Sequence, residues 1–386
     1  MLRGAIAALI LACVSGAAAA QALHPLPPQP AGLAWPAADW ATAPLPADVD
    51  RAAFDLAVTE AFAGPHELFG ETRAVIVVQG GVIVFERYAD GFSRDTRLIS
   101  WSMAKSVTQA LVGVAVGEGR VSINAPMGSP HWRAGDRRAS ITWRDWLQMV
   151  DGQDYTEIGA PSVLENDVTH LLYGRGRGDT ARFAASLPLI RDPGARWNYN
   201  SAGSVLISDA LTRAIVPDPA SPIDRRNRMR AWMQENFFGP IGMDPIVEFD
   251  RSGLYYGSAL IWANARDWAR FGYLYLRDGV WDGRRVLPEG WVDFARTPGP
   301  DRQTDIYGAH WWLSAPDGQG KPIHDPDLAD AFHAQGHEGQ IIVVVPSKDL
   351  VLVRLGLFEG AEGWDALGDW ATRFVGAFGD RPAVRR

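Results

Sequence analysis

Residues Leu98 to Gly119 read LISWSMAKSVTQALVGVAVGEG. The chain has only three lysines in 386 residues, and one of them, Lys105, stands three positions after Ser102 at the head of this apolar run. Val107, Ala110, Leu111, Val114 and Ala115 recur at the three-and-four spacing of a single helical face, which predicts a helix beginning near Ser102. Residues i and i+3 on such a helix share a face, with Cβ atoms roughly 5–6 Å apart. Two readings of the pair are open. Either Ser100 or Ser102 merely caps the helix and Lys105 is solvated, or a hydroxyl and an amine are held together for chemistry. In the second case the backbone N–H of Ser102 is free to meet an oxyanion. Lys105, among apolar neighbours and near the positive end of the helix dipole, then has its pKa pushed down. A neutral lysine can take the serine proton and make a nucleophile without histidine.

Outward from this stretch the chain alternates strand and helix character. On the N-terminal side, RAVIVVQGGVIVFERYADG sets two β-branched runs about Gly80-Gly81, a hairpin signal. Before it, Asp48 or Asp50 can cap a helix reaching about Phe62. On the C-terminal side, residues 120 to 245 hold helical pieces broken by loops. Strand character returns in QIIVVVPSKDLVLVRLG, a hairpin with PSKD as its turn, and GWDALGDWATRFVGAF is an amphipathic helix placed to pack on that sheet. The expected fold is therefore of α+β type, one antiparallel sheet made from both ends of the chain and flanked by helices, with a mainly helical lobe inserted. The sheet lobe covers about 48–120 and 246–386 and the helical lobe about 121–245, with a cleft between them as the natural site.

Two segments could line that cleft. DPGARWNYNSAGSVLI, residues 192–207, brings Tyr199, Asn200 and Ser201 to the start of a helical run, where a phenol could relay protons. The alternative is a core tyrosine in a chain rich in aromatic residues. FHAQGHEGQIIVVVP, residues 332–346, places Gly336 and Gly339 at the mouth of a strand, where an exposed edge could supply an oxyanion N–H. It could equally be a plain loop into a hairpin.

SMAKS, YNS and AQGHEGQ stand in the order and rough spacing of the three motifs of serine β-lactamase and penicillin-binding-protein-like hydrolases. The chain resembles the class C β-lactamase-related branch, and within it the carboxylesterases and 6-aminohexanoate-oligomer hydrolases. Similarity from about residue 70 onward includes VSINAPM, WLQMVDG, ARDWARFGYLYLRDG and GQIIVVVPSKDLVLVRLG. The resemblance implies the β-lactamase/transpeptidase-like fold, with Ser102 as the acylated nucleophile, Lys105 as its base and Tyr199 as the phenol of a Y-x-N motif. Ser201 stands where that motif ends in asparagine, as in the nylon-oligomer branch. Ala334-Gln335-Gly336 stands where β-lactamases carry Lys-Thr-Gly, so the cation that would hold a substrate carboxylate is missing. Esters or small amides are then expected over β-lactams, although a β-lactamase, a D-amino-acid peptidase and a non-catalytic peptidoglycan-binding relative share the pattern. The backbone N–H of Ser102 and one near Gly336 or His337 would form the oxyanion hole. Asp151, in the VDG loop, is a candidate for binding an amine-bearing substrate, or equally a turn residue.

Composition narrows the classes. A net charge of −8 disfavours nucleic acid as a partner. His333, His337 and Glu338 make a tempting metal cluster, but Gly336 and Gly339 break the helical spacing such a site needs, so neither metal nor other cofactor is expected. GRGRGD follows no strand, so it is no phosphate loop, and Asp179 in it reads as a helix cap. No G-x-S-x-G elbow is present. MLRGAIAALILACVSGAAAAQA, residues 1–22, has the basic start, apolar run and small-residue end of a secretory signal peptide, which predicts a periplasmic or secreted protein without stable membrane insertion. A transmembrane anchor or lipid attachment at Cys13 is the lesser reading. Cys13 is the sole cysteine, so the mature chain has no disulfide. Residues 23–47 are a proline-rich lead-in. Composition gives no oligomeric state.

Overall fold

The computed structural model describes residues 23–381 apart from 31, 33–34, 37–38, 68, 302–304, 314–327, 359 and 361. The leader-like segment 1–22, with Cys13, lies outside the described residues.

Helix α1 (Arg51–Phe62) begins where Asp50 accepts hydrogen bonds from the N–H groups of Ala52 and Ala53. Strands β1 (Glu71–Gln79) and β2 (Val82–Tyr88) follow, joined by Gly80 and Gly81, both at the positive φ that a tight primed turn requires. The short strand β3 (Leu98–Ile99) leads into α2 (Met103–Gly117). The central block holds α3 (Trp143–Leu147), α4 (Asp167–Leu172), α5 (Thr180–Ser186), α6 (Ser201–Ile215) and α7 (Pro222–Met233). Asp179 caps α5, as its position in the sequence predicts. Then come β4 (Ile246–Val247), β5 (Ile261–Ala263) and α8 (Ala265–Leu276). After β6 (Val280–Trp281), β7 (Arg284–Arg285) and α9 (Trp291–Ala295), the chain ends in β8 (Phe332–Gly336), β9 (Gln340–Val345), β10 (Leu350–Leu357) and α10 (Glu362–Gly376).

The main sheet has the order β2-β1-β10-β9-β8, with every pair antiparallel. Its centre joins the two ends of the chain, Val77 facing Leu352 and Gln79 facing Leu350. Both faces are buried, which explains β-branched runs without polar alternation. Val75, Val77, Ile341, Val343, Leu350 and Leu352 point toward α1 and α10 and pack with Phe54, Trp370 and Phe374. Their neighbours Ile76, Val78, Ile342, Val344, Val351 and Val353 point the other way. There they join residues of α2, α6 and α8 in one continuous core, so the helical block and the sheet share their packing. The architecture is the α+β, β-lactamase/transpeptidase-like arrangement.

The proline-rich lead-in is bound to this body. Ala43 donates its N–H to Ile83 (3.0 Å) and Ile83 donates to Ala41 (2.9 Å), so the segment covers the outer edge of β2. Covering an edge removes a template for intermolecular pairing.

Candidate active site

Ser102 stands at the N-cap of α2, yet its hydroxyl makes no capping bond. The hydroxyl of Ser100 does not cap either: it donates to Trp101 O (2.9 Å) and accepts from the Ile261 N–H (3.1 Å), while the Ser100 N–H donates to Ile261 O (2.7 Å). Ser100 thus fastens the approach to the helix onto β5. Between the two serines, Trp101 adopts a left-handed conformation (φ 43°). That conformation costs a non-glycine residue roughly 1–2 kcal/mol, and strain of this kind gathers at functional turns. The backbone N–H of Ser102 takes no hydrogen-bond acceptor among the described residues.

Lys105 is the decisive residue. It is 1% exposed, its Nζ lies 2.9 Å from Ser102 Oγ, and it donates to the carbonyl of Ser258 (3.2 Å). Burial pushes its pKa down to about 8, against an opposing pull from the carboxylate of Glu157. A solvated lysine is therefore ruled out. The Nζ also sits 4.7 Å from the centre of the Tyr199 ring.

Tyr199 stands just before α6, in the central helical block. Asn200 caps α6 by accepting from the Gly203 N–H (2.9 Å), which fixes the residue before it at the helix mouth. The Tyr199 side chain is 7% exposed, and its phenol is near enough to Ser102 for that hydroxyl to act on its titration. Burial and the charge of Glu157 hold its pKa far above the usual phenol value, so the group is a neutral O–H at any working pH. Trp312 stacks on its ring (5.6 Å between centroids) and Tyr307 meets it edge-on (6.1 Å). The structure therefore brings Ser102, Lys105 and Tyr199 together from two helices that are far apart in sequence.

Gly336 ends β8 beside this group. A Cβ at Gly336 would lie 2.1 Å from the carbonyl oxygen of Ser100, so only glycine lets the strand approach the turn that carries Ser102. β8 is the sheet's edge strand, and His333 exchanges both backbone hydrogen bonds with Trp312 on its outer side. Strand alternation directs the N–H groups of Gln335 and His337 to that same side. His337 is thus the better placed of the two candidates for a second oxyanion donor.

The remaining sequence candidates sit differently. Ser201 is buried, and both its N–H (3.2 Å) and its hydroxyl (3.0 Å) donate to the Glu157 carboxylate. Asp151 is 2% exposed and accepts from the Gln153 N–H (2.9 Å) and Asn200 Nδ2 (3.1 Å). Burial raises its pKa to about 6. It is enclosed beneath the start of α6, where it braces the cap residue rather than meeting solvent.

Two residues escape the sequence reading. Glu157, half-buried in the loop after Tyr155, acts electrostatically on Lys105, Tyr155, Tyr199 and Tyr307. No motif marks it. His310 is buried, with Nδ1 2.7 Å from Leu147 O and Nε2 2.9 Å from Ser204 Oγ, while its carbonyl accepts from Ser106 Oγ (2.7 Å). It ties α2 to α6, and burial lowers its pKa to about 3, so it stays neutral. Among the described residues no group of three His, Cys, Asp or Glu side chains could hold a metal ion, and no helix is long and apolar enough to cross a membrane.

Comparison with known proteins gives the family and the fold. Residues 71–356 match the family model described as Beta-lactamase. The 6-aminohexanoate-dimer hydrolase of Paenarthrobacter ureafaciens is 24% identical over 306 residues, 74% of this chain and 72% of that protein. A Bacillus anthracis structure described as a candidate 6-aminohexanoate-dimer hydrolase superposes with a TM-score of 0.67 at 19% identity, covering 92% of this chain and 90% of the other. A penicillin-binding-protein homologue from Caulobacter crescentus gives 0.59 at 18% identity, over 87% and 98% of the two chains. With its sheet built from both chain ends and a serine and lysine sharing one helix beneath a tyrosine, this chain belongs to the Beta-lactamase family of serine hydrolases.

Proposed function

We propose that the protein is an exported hydrolase that opens esters or small amides through an acyl-enzyme at Ser102. The observation that carries this reading is the buried Lys105 amine, 2.9 Å from Ser102 Oγ and with a pKa of about 8. Uncharged, it accepts the hydroxyl proton as Oγ attacks the carbonyl carbon. The oxyanion settles on the N–H groups of Ser102 and His337. The proton then passes from Lys105 through the Tyr199 hydroxyl to the departing alcohol or amine. In deacylation a water attacks the acyl carbon and its proton goes to Lys105 by way of the same phenol; Ser102 Oγ then leaves and takes that proton from Lys105, which is again uncharged. The chemistry uses only side chains and backbone, and the leader-like segment 1–22 supports export.

Two features favour esters and small amides over β-lactams. Ala334 offers no cation for a substrate carboxylate, and Ser201 faces the Glu157 carboxylate with both of its donors. A substrate carboxylate would therefore meet negative charge there.

A fluorophosphonate should label the wild-type protein once, at Ser102, and leave Ser102→Ala unlabelled. A panel of p-nitrophenyl esters, short amides and a chromogenic cephalosporin should show turnover of the first two classes, with kcat/KM for the cephalosporin at least about 100-fold lower. Labelling of Ser102→Ala, or rapid cephalosporin turnover, contradicts the reading.

Glu157 gives a separate expectation. Its charge opposes the effect of burial on Lys105. Glu157→Gln should let that pKa fall further and move the acidic limb of kcat/KM to lower pH. Relative to the pH optimum, activity at pH 6.5 should rise about threefold, the gain from half a unit on that limb. A limb that stays in place or moves upward contradicts this.

A further inference from the structure

The histidine–glutamate pair that resembled a metal motif has another role in the fold. Trp101 Nε1 donates to Glu338 Oε2 (2.9 Å), and the His337 ring meets the Trp101 ring edge-on with centroids 5.4 Å apart. Both residues joined by that hydrogen bond are left-handed, Trp101 at φ 43° and Glu338 at φ 62°. The turn that carries Glu338 is itself held from below. The guanidinium of Arg354, fully buried, donates to Gly339 O (2.9 Å) and to the carbonyls of Phe69 and Glu71 (2.9 Å each). Gly339 is required there, since a Cβ would lie 2.4 Å from Arg354 Nη1.

The position of Trp101 gives this contact its consequence. The peptide plane between residues 101 and 102 carries the N–H of Ser102, and its orientation follows from ψ of Trp101 and φ of Ser102. A tryptophan freed from the left-handed region would relax toward the common basins and swing that N–H away. On the opposite side of the same contact stands His337, whose own N–H leaves the edge of β8. One carboxylate–indole bond thus spans the two backbone donors that the proposed mechanism uses.

We propose that Glu338 is a positioning residue that latches Trp101 in its left-handed conformation and thereby aims the oxyanion-binding N–H of Ser102. The proposal rests on the acyl-enzyme reading of Ser102. The latch acts on transition-state stabilisation, so its loss falls on kcat and leaves KM nearly unchanged. It needs an acceptor at Glu338, not a charge, so glutamine serves.

The test is a double-mutant cycle on purified full-length protein with one p-nitrophenyl ester, alongside fluorophosphonate labelling of every variant. Glu338→Ala and Trp101→Phe, which keeps the ring but removes the indole N–H, should each lower kcat about 10–100-fold with KM within about twofold. The double variant should lose no more than either single one, because both remove the same bond. Glu338→Gln should recover kcat to within about fivefold of wild type. Losses that multiply in the double variant, a kcat for Glu338→Ala within twofold of wild type, or a loss confined to KM overturns the latch. Should Glu338→Ala fail to fold, Trp101→Phe and Glu338→Gln carry the same comparison, and a tenfold loss in both overturns it as well. Absence of Ser102 labelling in the wild type would instead defeat the acyl-enzyme reading, so the two failures are separable.

Discussion

Lys105→Ala should lower kcat/KM for an ester by about 10³–10⁴ and abolish fluorophosphonate labelling of Ser102, although the serine is untouched. The argument follows from what surrounds the amine. An alcohol is almost entirely protonated at neutral pH, and the one buried base 2.9 Å from its oxygen is Lys105 Nζ. Removing it leaves a hydroxyl whose one remaining proton acceptor nearby, among the described residues, is the neutral phenol of Tyr199, a poor base. Lys105→Arg should fail equally, because a guanidinium keeps its proton. Ser102→Ala should cost about as much, and the double variant Ser102→Ala/Lys105→Ala no more than either, since the two side chains act as one unit. A Lys105→Ala protein that still labels at a rate within tenfold of wild type would remove the base from the mechanism.

Tyr199→Phe should have the next largest effect, and its size should depend on the substrate. The phenol is held neutral by burial and by Glu157, so it serves as a donor and relay. A departing amine must be protonated as the C–N bond breaks, whereas p-nitrophenolate leaves without help. In kcat/KM, which reports acylation alone, the variant should therefore lose about 10²–10³ on a short amide and less than about tenfold on a p-nitrophenyl ester. The ring remains, so stacking on Trp312 and the contact with the Lys105 amine survive, and melting temperature should change little. Equal losses in kcat/KM on the two substrates would mean that Tyr199 acts before the leaving group departs, on the nucleophile itself.

The legible part of the molecule was the part with a short-range physical signature. Apolar spacing after Ser102 marked α2, the Gly80-Gly81 pair marked the first hairpin, and PSKD marked the last. Both chain ends carried strands with no partner nearby, which forced them into one sheet, and β1 does pair with β10. Motif order carried Ser102, Lys105 and Tyr199. Contacts between distant loops carried no local signal. Asp151 read as a cleft residue or a turn residue, but the start of α6 closes over it and turns it into a brace for Asn200. Glu157 occupies an undistinguished loop and gains its influence only because folding lays it against Ser201. His310 is in the same position, its role arising from three elements that meet around it. The histidine–glutamate pair at 337–338 showed its residues in the sequence but not its partner, since Trp101 lies 237 positions away from Glu338.

The central claim is that Lys105 does its work uncharged, and the pH dependence of Ser102 acylation tests it most directly. The second-order rate of fluorophosphonate labelling, measured from pH 5.5 to 9.5, reports the free enzyme's base without interference from product release. With a folded-state pKa of about 8, the amine is protonated and inactive below that value and free above it. The rate should climb about tenfold per pH unit through the acid range, bend near pH 8 and level off above it. A rate that is flat across the range, or one that still climbs tenfold per unit up to pH 9.5 as for a solvated lysine, would contradict the account.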